Sequence, residues 1–170
     1  MEIRLAKSLI RPWRRGDELS LVRHANNPEV WRNLRDEFPH PYRMSDARRW
    51  IARMSSAREP ESYALEVDGH AAGSIGLVCG SDVYRLSAEI GFWLGQEYWG
   101  RGIMTEAVGA FTRHEFAQLG IVRIYAHVFE GNAASMRVLE KNGYIREGIL
   151  KKSAFKAGRV IDQVLYAAII

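Results

Sequence analysis

The chain has 170 residues, 47% of them hydrophobic, which one domain with a single well-buried core accommodates. Its one cysteine, Cys79, excludes an internal disulfide framework and a cysteine-built zinc cluster, and no apolar run reaches the ~18 residues of a membrane span. The net charge of +4 favours anionic partners, but the basic residues are dispersed, so nucleic acid is weakly supported and a phosphate-bearing small molecule explains the surplus just as well.

The N-terminal MEIRLAKSLIRPWRRG lacks a secretory apolar centre and a small-residue cleavage site, so a cytoplasmic location is expected. Within it, IRLAKSLIRPW reads as an opening strand or hairpin. DELSLVRHANN and PEVWRNLRDEF read as two short helices, the second starting at Pro28. After the breaker PHPY, Ser45 caps a third, amphipathic helix carrying Trp50, Ile51 and Met54.

From Ser62 the period changes, and SYALEVDGHAAGSIGLVCG reads as two strands joined at Asp68-Gly69, with Cys79 packed in the core. LSAEIGFWL is the next strand. A helix from about Gly102 to Leu119 puts Met104, Ala107, Val108, Phe111 and Leu119 on an arc about 120° wide, with Glu115 and Gln118 intruding. VRIYAHVFE alternates as a strand, NAASMRVLEKNG is a helix capped by Asn132 and stopped at Gly143, and YIREGIL is a strand. The apolar tail VIDQVLYAAII reads as a final strand buried on both faces. The order predicts an α/β (α+β) fold, a mixed β-sheet covered by helices, in one domain over residues 1–170.

The stretch EYWGRGIMTEAV sets Gly100 and Gly102 ahead of a helix. A glycine turn there leaves the first helical N–H groups pointing outward, the macrodipole adds positive charge, and Arg101 and Thr105 add donors. A diphosphate fits that end, although a tight turn without ligand has the same sequence. The triphosphate-loop ending Gly-Lys-Ser/Thr is missing, and the turn comes too late for a dinucleotide fold. HEFAQ at His114 lacks the second histidine of a zinc protease, so no metal is expected.

EIGFWLGQEYWGRGIMTEAV resembles the central motif of the GNAT N-acetyltransferases, and NAASMRVLEKNGY is similar to their next helix and strand. NPEVWRNLRDEFPHPYRMSDARRWI resembles the N-terminal helices of the ribosomal-protein N-terminal acetyltransferase (RimJ/RimL-like) branch. The resemblance implies a sheet whose two central strands splay apart and transfer of an acetyl group from acetyl-CoA to a primary amine. It assigns Gly100, Arg101, Gly102, Ile103, Met104 and Thr105 to the coenzyme's diphosphate. Backbone groups of Phe92, Trp93 and Leu94 would take the pantetheine arm, with Asn132 bonding the arm as well as capping its helix. In one departure, Glu97 stands where the family has Arg or Gln; its charge should turn away from phosphate, with Gln96 shifting in.

For the chemistry, Glu89 is the candidate base, acting directly or through a water, or else a structural carboxylate. The tyrosine that many relatives set near the leaving sulfur is replaced by Leu139, and Ser135 is the candidate donor there, with helix capping as its other reading. Tyr144 is expected in the core. Trp31, Leu34, Phe38, Tyr42 and Trp50 are candidate walls for the acceptor, with Asp36 or Glu37 attracting a cationic amine. The acceptor is a protein N-terminus or a small amine such as a polyamine or aminoglycoside. No membrane partner is expected, nucleic acid is disfavoured, and a homodimer stays open. The alternative is an acyl-CoA-binding sensor or assembly protein without turnover.

Overall fold

The opening segment forms a hairpin of β1 (Ile3–Arg4) and β2 (Leu9–Arg11), in a computed structural model that describes residues 1–57 and 61–170. α1 (Glu18–Ala25) follows. α2 is a single turn, Pro28–Trp31, in which the Asn27 side chain accepts the Glu29 N–H at 2.8 Å. The chain then continues to Phe38 in tight turns rather than as helix. α3 (Met44–Ser56) begins two residues earlier than a capping Ser45 requires. Arg43 takes the cap position and its N–H donates to the Asp46 carboxylate at 2.9 Å, so a side chain reaching back replaces the serine, which is exposed in the first turn.

β3 (Ser62–Val67) and β4 (His70–Cys79) form the expected hairpin, with positive φ at Asp68 and Gly69. Burial along β4 runs without interruption from Ala71 to Leu77 and stops there. The last pair with β3 is Ser62↔Gly76, so the end of β4 outruns its neighbour, and Cys79 is exposed rather than in the core.

β5 (Ser87–Leu94), α4 (Ile103–Leu119), β6 (Arg123–Phe129), α5 (Ala133–Lys141), β7 (Ile145–Lys156) and β8 (Arg159–Ile169) complete the chain. The strand order is β1-β2-β3-β4-β5-β6-β8-β7; β5–β6 is parallel and β6–β8 and β7–β8 are antiparallel, giving the mixed eight-stranded sheet. On α4 the buried arc is Ile103, Met104, Ala107, Val108, Phe111, Thr112 and Glu115, while Leu119 is 45% exposed. Position on the helix thus overrides polarity at Glu115, whose carboxyl is pushed up by desolvation.

β7 runs six residues past Leu150 and turns at Ala157-Gly158, both with positive φ. β6 pairs only with Gln163–Ile169 of β8, so the first half of β8 has β7 alone beside it. This is why the tail is not buried on both faces: only Val164, Tyr166 and Ala167 are in the core.

The chain falls into two compact units, each discontinuous in sequence: residues 1–76 with 92–107, and residues 77–91 with 108–170. The first holds a core of Trp13, Leu21, Ala25, Tyr42, Ile51, Met54 and Ala64, against which Phe38, Trp50 and Trp93 pack. In the second, one face of β6 and β8 is buried through Ile124, Ala126, Val128, Val164 and Tyr166. Tyr166 reaches Glu140 of α5 at 2.7 Å, which identifies this as the face α5 covers. Tyr144 is in the core as expected, 2.8 Å from Thr112 of α4, and burial pushes its phenol up to about 12. Among the described residues, no helix is long and apolar enough to cross a membrane.

Candidate active site

In the first unit, β5 ends and the chain turns through Gly100 and Gly102, whose φ values are +75° and +78°. A Cβ added at either glycine meets nothing within 4 Å, so open space borders the backbone. α4 starts at Ile103, and its first backbone bond runs from Glu106 N–H to Gly102 C=O at 3.1 Å. Gly102 therefore stands at the cap position, where its lack of a side chain leaves no local acceptor for the leading N–H groups. Arg101 and Gly102 are exposed, Thr105 is half-buried, and Ile103 and Met104 point into the core. Lys7 donates to the Arg101 carbonyl at 3.1 Å, and the Arg101 guanidinium lies 5.3 Å over Tyr98. An anion finds here open backbone, a helix N-terminus and two cations.

Just upstream, Gly95 N–H donates to Ala72 C=O at 2.7 Å, and the Trp93 carbonyl lies against Gly73. By strand alternation Phe92 and Leu94 present their backbone groups to the other edge of β5. There the Leu94 carbonyl already accepts the Trp99 indole N–H at 2.7 Å. Glu97 is held by Arg23 at 3.3 Å and His24 at 3.2 Å, and Gln96 accepts from Asn27 at 2.8 Å. These five side chains line a polar depression of about 350 Å³. Glu97 is thus tied to α1, and Gln96 to Asn27, the cap of α2.

The expected acceptor walls divide. Tyr42 is 5% exposed, inside the core beside Phe38, with its phenol pushed up to about 12 by desolvation, so it is a core residue and not a pocket wall. Trp31 is half-buried and stacks on His40 with centroids 5.3 Å apart. Asp36 and Glu37 are exposed.

In the second unit, the parallel ladder of β5 and β6 runs from Ser87↔Arg123 to Glu89↔Tyr125, although β5 continues to Leu94 and β6 to Phe129. The central pairing ends at Glu89. There Glu89 Oε1 lies 3.0 Å from Nδ1 of His127, and the Tyr125 ring meets the imidazole edge-on at 5.5 Å. Beyond β6, Asn132 caps α5: its Oδ1 accepts the Ser135 N–H at 3.2 Å, and its Nδ2 donates to the Ser135 hydroxyl at 2.9 Å. Glu89, His127, Asn132 and Ser135 all belong to this unit.

A profile of the acetyltransferase (GNAT) domain matches residues 7–145. The chain belongs to the GNAT acetyltransferase family. Over 163 residues it is 31% identical to the [ribosomal protein uS5]-alanine N-acetyltransferase of Escherichia coli, covering 91% of this chain and 80% of that one. It is 39% identical over 85 residues to the Escherichia coli ribosomal-protein-serine acetyltransferase, covering 49% of this chain and 47% of that one. Several matches are partial: the chain spans 54% of the uncharacterized N-acetyltransferase YoaA of Bacillus subtilis, at 34% identity over 57% of its own length. A Bacillus anthracis GNAT acetyltransferase structure superimposes with TM-score 0.86 at 24% identity, covering 99% and 98% of the two chains. RimL, a ribosomal L7/L12 alpha-N-protein acetyltransferase solved with coenzyme A, does so with TM-score 0.85 at 20% identity, covering 100% and 98%.

For this GNAT chain, the sequence names Glu89, Asn132, Ser135 and the glycine turn as candidates but not His127, which the structure sets beside Glu89. A signal was there: alternation in RIYAHVF sets Arg123, Tyr125 and His127 on one face and Ile124, Ala126 and Val128 on the other. Only the register of β5 against β6 puts a carboxylate beside that histidine.

Proposed function

We propose that the protein is an acetyl-CoA-dependent N-acetyltransferase of the cytosol, acting on a primary amine, with a protein N-terminal α-amino group as the favoured acceptor. The observation that carries the reading is the pair of open, positive-φ glycines at the head of α4, a backbone cradle that a Cβ would fill. Gly100–Thr105 would hold the coenzyme's diphosphate, with Arg101 supplying charge. Of Phe92, Trp93 and Leu94, the Phe92 backbone and the Leu94 N–H are the groups suited to the pantetheine amides, since the Trp93 carbonyl is turned to Gly73. Asn132 would meet the arm near its thiol end. When bound, acetyl-CoA supplies the thioester whose carbonyl carbon forms the new C–N bond as its C–S bond breaks.

This chain's residues have two tasks. The amine must lose a proton before it can attack, and Glu89 serves that step, directly or through a group bonded to it. The departing sulfur must be met by a donor. The Ser135 oxygen already accepts from Asn132, which leaves its own O–H to donate. For the acceptor, Trp31 offers a half-buried aromatic surface and Asp36 and Glu37 offer negative charge to a cationic amine. The resemblance to two ribosomal-protein acetyltransferases over 49% and 91% of the chain supports the choice of acceptor.

The test is calorimetric titration with coenzyme A, followed by thiol release from acetyl-CoA with peptides bearing N-terminal alanine or serine, a polyamine and an aminoglycoside. Release with a peptide supports the full reading, and release with a small amine alone moves the acceptor class. Binding without release by any of them makes the protein an acyl-CoA sensor. No binding rejects the proposal.

A further inference from the structure

We propose that His127 takes the proton from the attacking amine, and that Glu89 is the positioning residue that orients it. This rests on the acetyltransferase reading and deepens it.

The two side chains sit on adjacent parallel strands. Glu89 is paired with Tyr125, and His127 is the next residue on the same face of β6. An ionised carboxylate can only accept a hydrogen bond, so the 3.0 Å contact puts the proton of neutral His127 on Nδ1 and the lone pair on Nε2. The Tyr125 ring, set at 78° to the imidazole, limits its rotation. Side-chain exposure is 27% for His127 and 17% for Glu89, so the imidazole is the more accessible of the two. It belongs to the face of β6 opposite the one α5 covers, so Nε2 is not sealed under that helix.

The neighbouring strands show which groups face His127 among the described residues. Across β8, Leu165 is opposite His127, with Gln163 and Ala167 flanking on that face, none of them titratable. Along β6, Arg123 is committed to Glu147 of β7 and lies 5.7 Å over the Tyr125 ring. From β5 the facing group is Glu89. β6 ends two residues past His127, about 7 Å along the strand, and Asn132 N–H bonds back to Phe129 C=O at 2.8 Å before α5 begins. The base, the cap and Ser135 are carried on one strand-turn-helix segment.

Atoms balance as follows. The ammonium N–H bond breaks and its proton forms a bond to His127 Nε2; the amine lone pair makes the C–N bond. The C–S bond breaks, the sulfur takes a proton through Ser135, and the nitrogen gives up its second proton to restore the serine. His127 returns its proton to water. With Nδ1–H held by the carboxylate, the free lone pair on Nε2 is the acceptor that the ammonium proton needs, whereas the Glu89 oxygen is engaged by the ring.

The experiment combines pH profiles of kcat/KM, using the best amine from the acceptor panel, with NMR titration of the His127 ring in the whole chain. In the wild type, the acid limb of the rate profile coincides with the NMR midpoint of His127, because the protonated ring cannot accept. Glu89→Gln keeps the limb and the His127 midpoint coincident while lowering kcat/KM, since the ring loses the acceptor that orients it. His127→Gln lowers kcat/KM about 100-fold and abolishes that limb, with the coenzyme A dissociation constant unchanged. A wild-type rate and limb in His127→Gln overturns the proposal, as does a limb that ignores the His127 midpoint. A wild type that binds coenzyme A but acetylates no amine overturns the enzyme reading and this one with it, whereas a full rate in His127→Gln leaves the enzyme reading standing.

Discussion

Asn132 and Ser135 exchange two hydrogen bonds: the Asn132 carbonyl oxygen takes the Ser135 N–H at 3.2 Å, and the Asn132 amide donates to the Ser135 hydroxyl at 2.9 Å. Both polar ends of the Asn132 side chain thus meet Ser135, one capping α5 and one on the hydroxyl. Ser135→Ala removes the hydroxyl and keeps the cap. It should lower kcat about 10- to 100-fold with less than a twofold change in coenzyme A affinity. Steady-state kinetics beside calorimetry reads the split, and a loss confined to affinity would make Ser135 a binding residue.

Gly102 sits at φ +78° with open space where a Cβ would project. Gly102→Glu brings a negative charge to the proposed diphosphate position and should weaken coenzyme A binding at least 100-fold. Any residue with a Cβ is strained at this φ, at a cost of roughly 1–2 kcal/mol. Gly102→Ala shares the strain without the charge and should lose far less affinity, with both variants remaining folded by circular dichroism. Equal losses in the two would assign the effect to backbone shape instead of charge.

These two local arrangements were legible in the sequence because their signals are local: a glycine turn before a helix, and Asn132 three residues before Ser135. The Asp68-Gly69 hairpin and the stop at Gly143 are of the same kind. What stayed hidden depends on which strand lies beside which. Cys79 looks like a core residue in an apolar run, and only the point where β3 begins exposes it. His127 looks like any half-buried strand residue until the β5 register sets Glu89 next to it. Glu115 reads as a flaw in the α4 stripe, yet it is buried with it.

His24 and Gly95 fix the approach of α1 to the segment after β5. A Cβ on Gly95 would lie 2.7 Å from His24 Nδ1 and 3.0 Å from the ring carbon, so Gly95→Ala should cost about 1–3 kcal/mol of stability in urea unfolding. Desolvation lowers the titration of His24 despite the opposing pull of Glu97. A depressed value in the folded state means the neutral ring is favoured there. Its stability contribution is therefore complete above the unfolded value near 6.5 and is lost as pH falls below it towards the folded value. The wild type should lose stability on acidification through that window more steeply than His24→Asn. Parallel profiles in the two proteins would show that His24 does not contribute.

Arg11 is 1% exposed and makes a two-pronged contact with Asp17, both distances 2.8 Å, while its Nε donates to Glu66 at 2.6 Å. Arg14 joins the cluster, through its N–H to Asp17 at 3.0 Å and its guanidinium to Glu66 at 3.0 Å. The arrangement ties β2 and β3 to the start of α1. Removing one partner of a buried pair leaves a charge without compensation, at a cost of about 3–5 kcal/mol, whereas removing both charges costs less. Asp17→Asn should therefore destabilise the protein by an amount near the lower end of that range, since Glu66 remains beside Arg11. The double variant Arg11→Met with Asp17→Asn should recover part of the loss. Urea unfolding of the two single variants and the double one measures the coupling directly. A double variant less stable than the sum of the single effects would mean that the cluster is held by packing of the arginine stem and not by its charge.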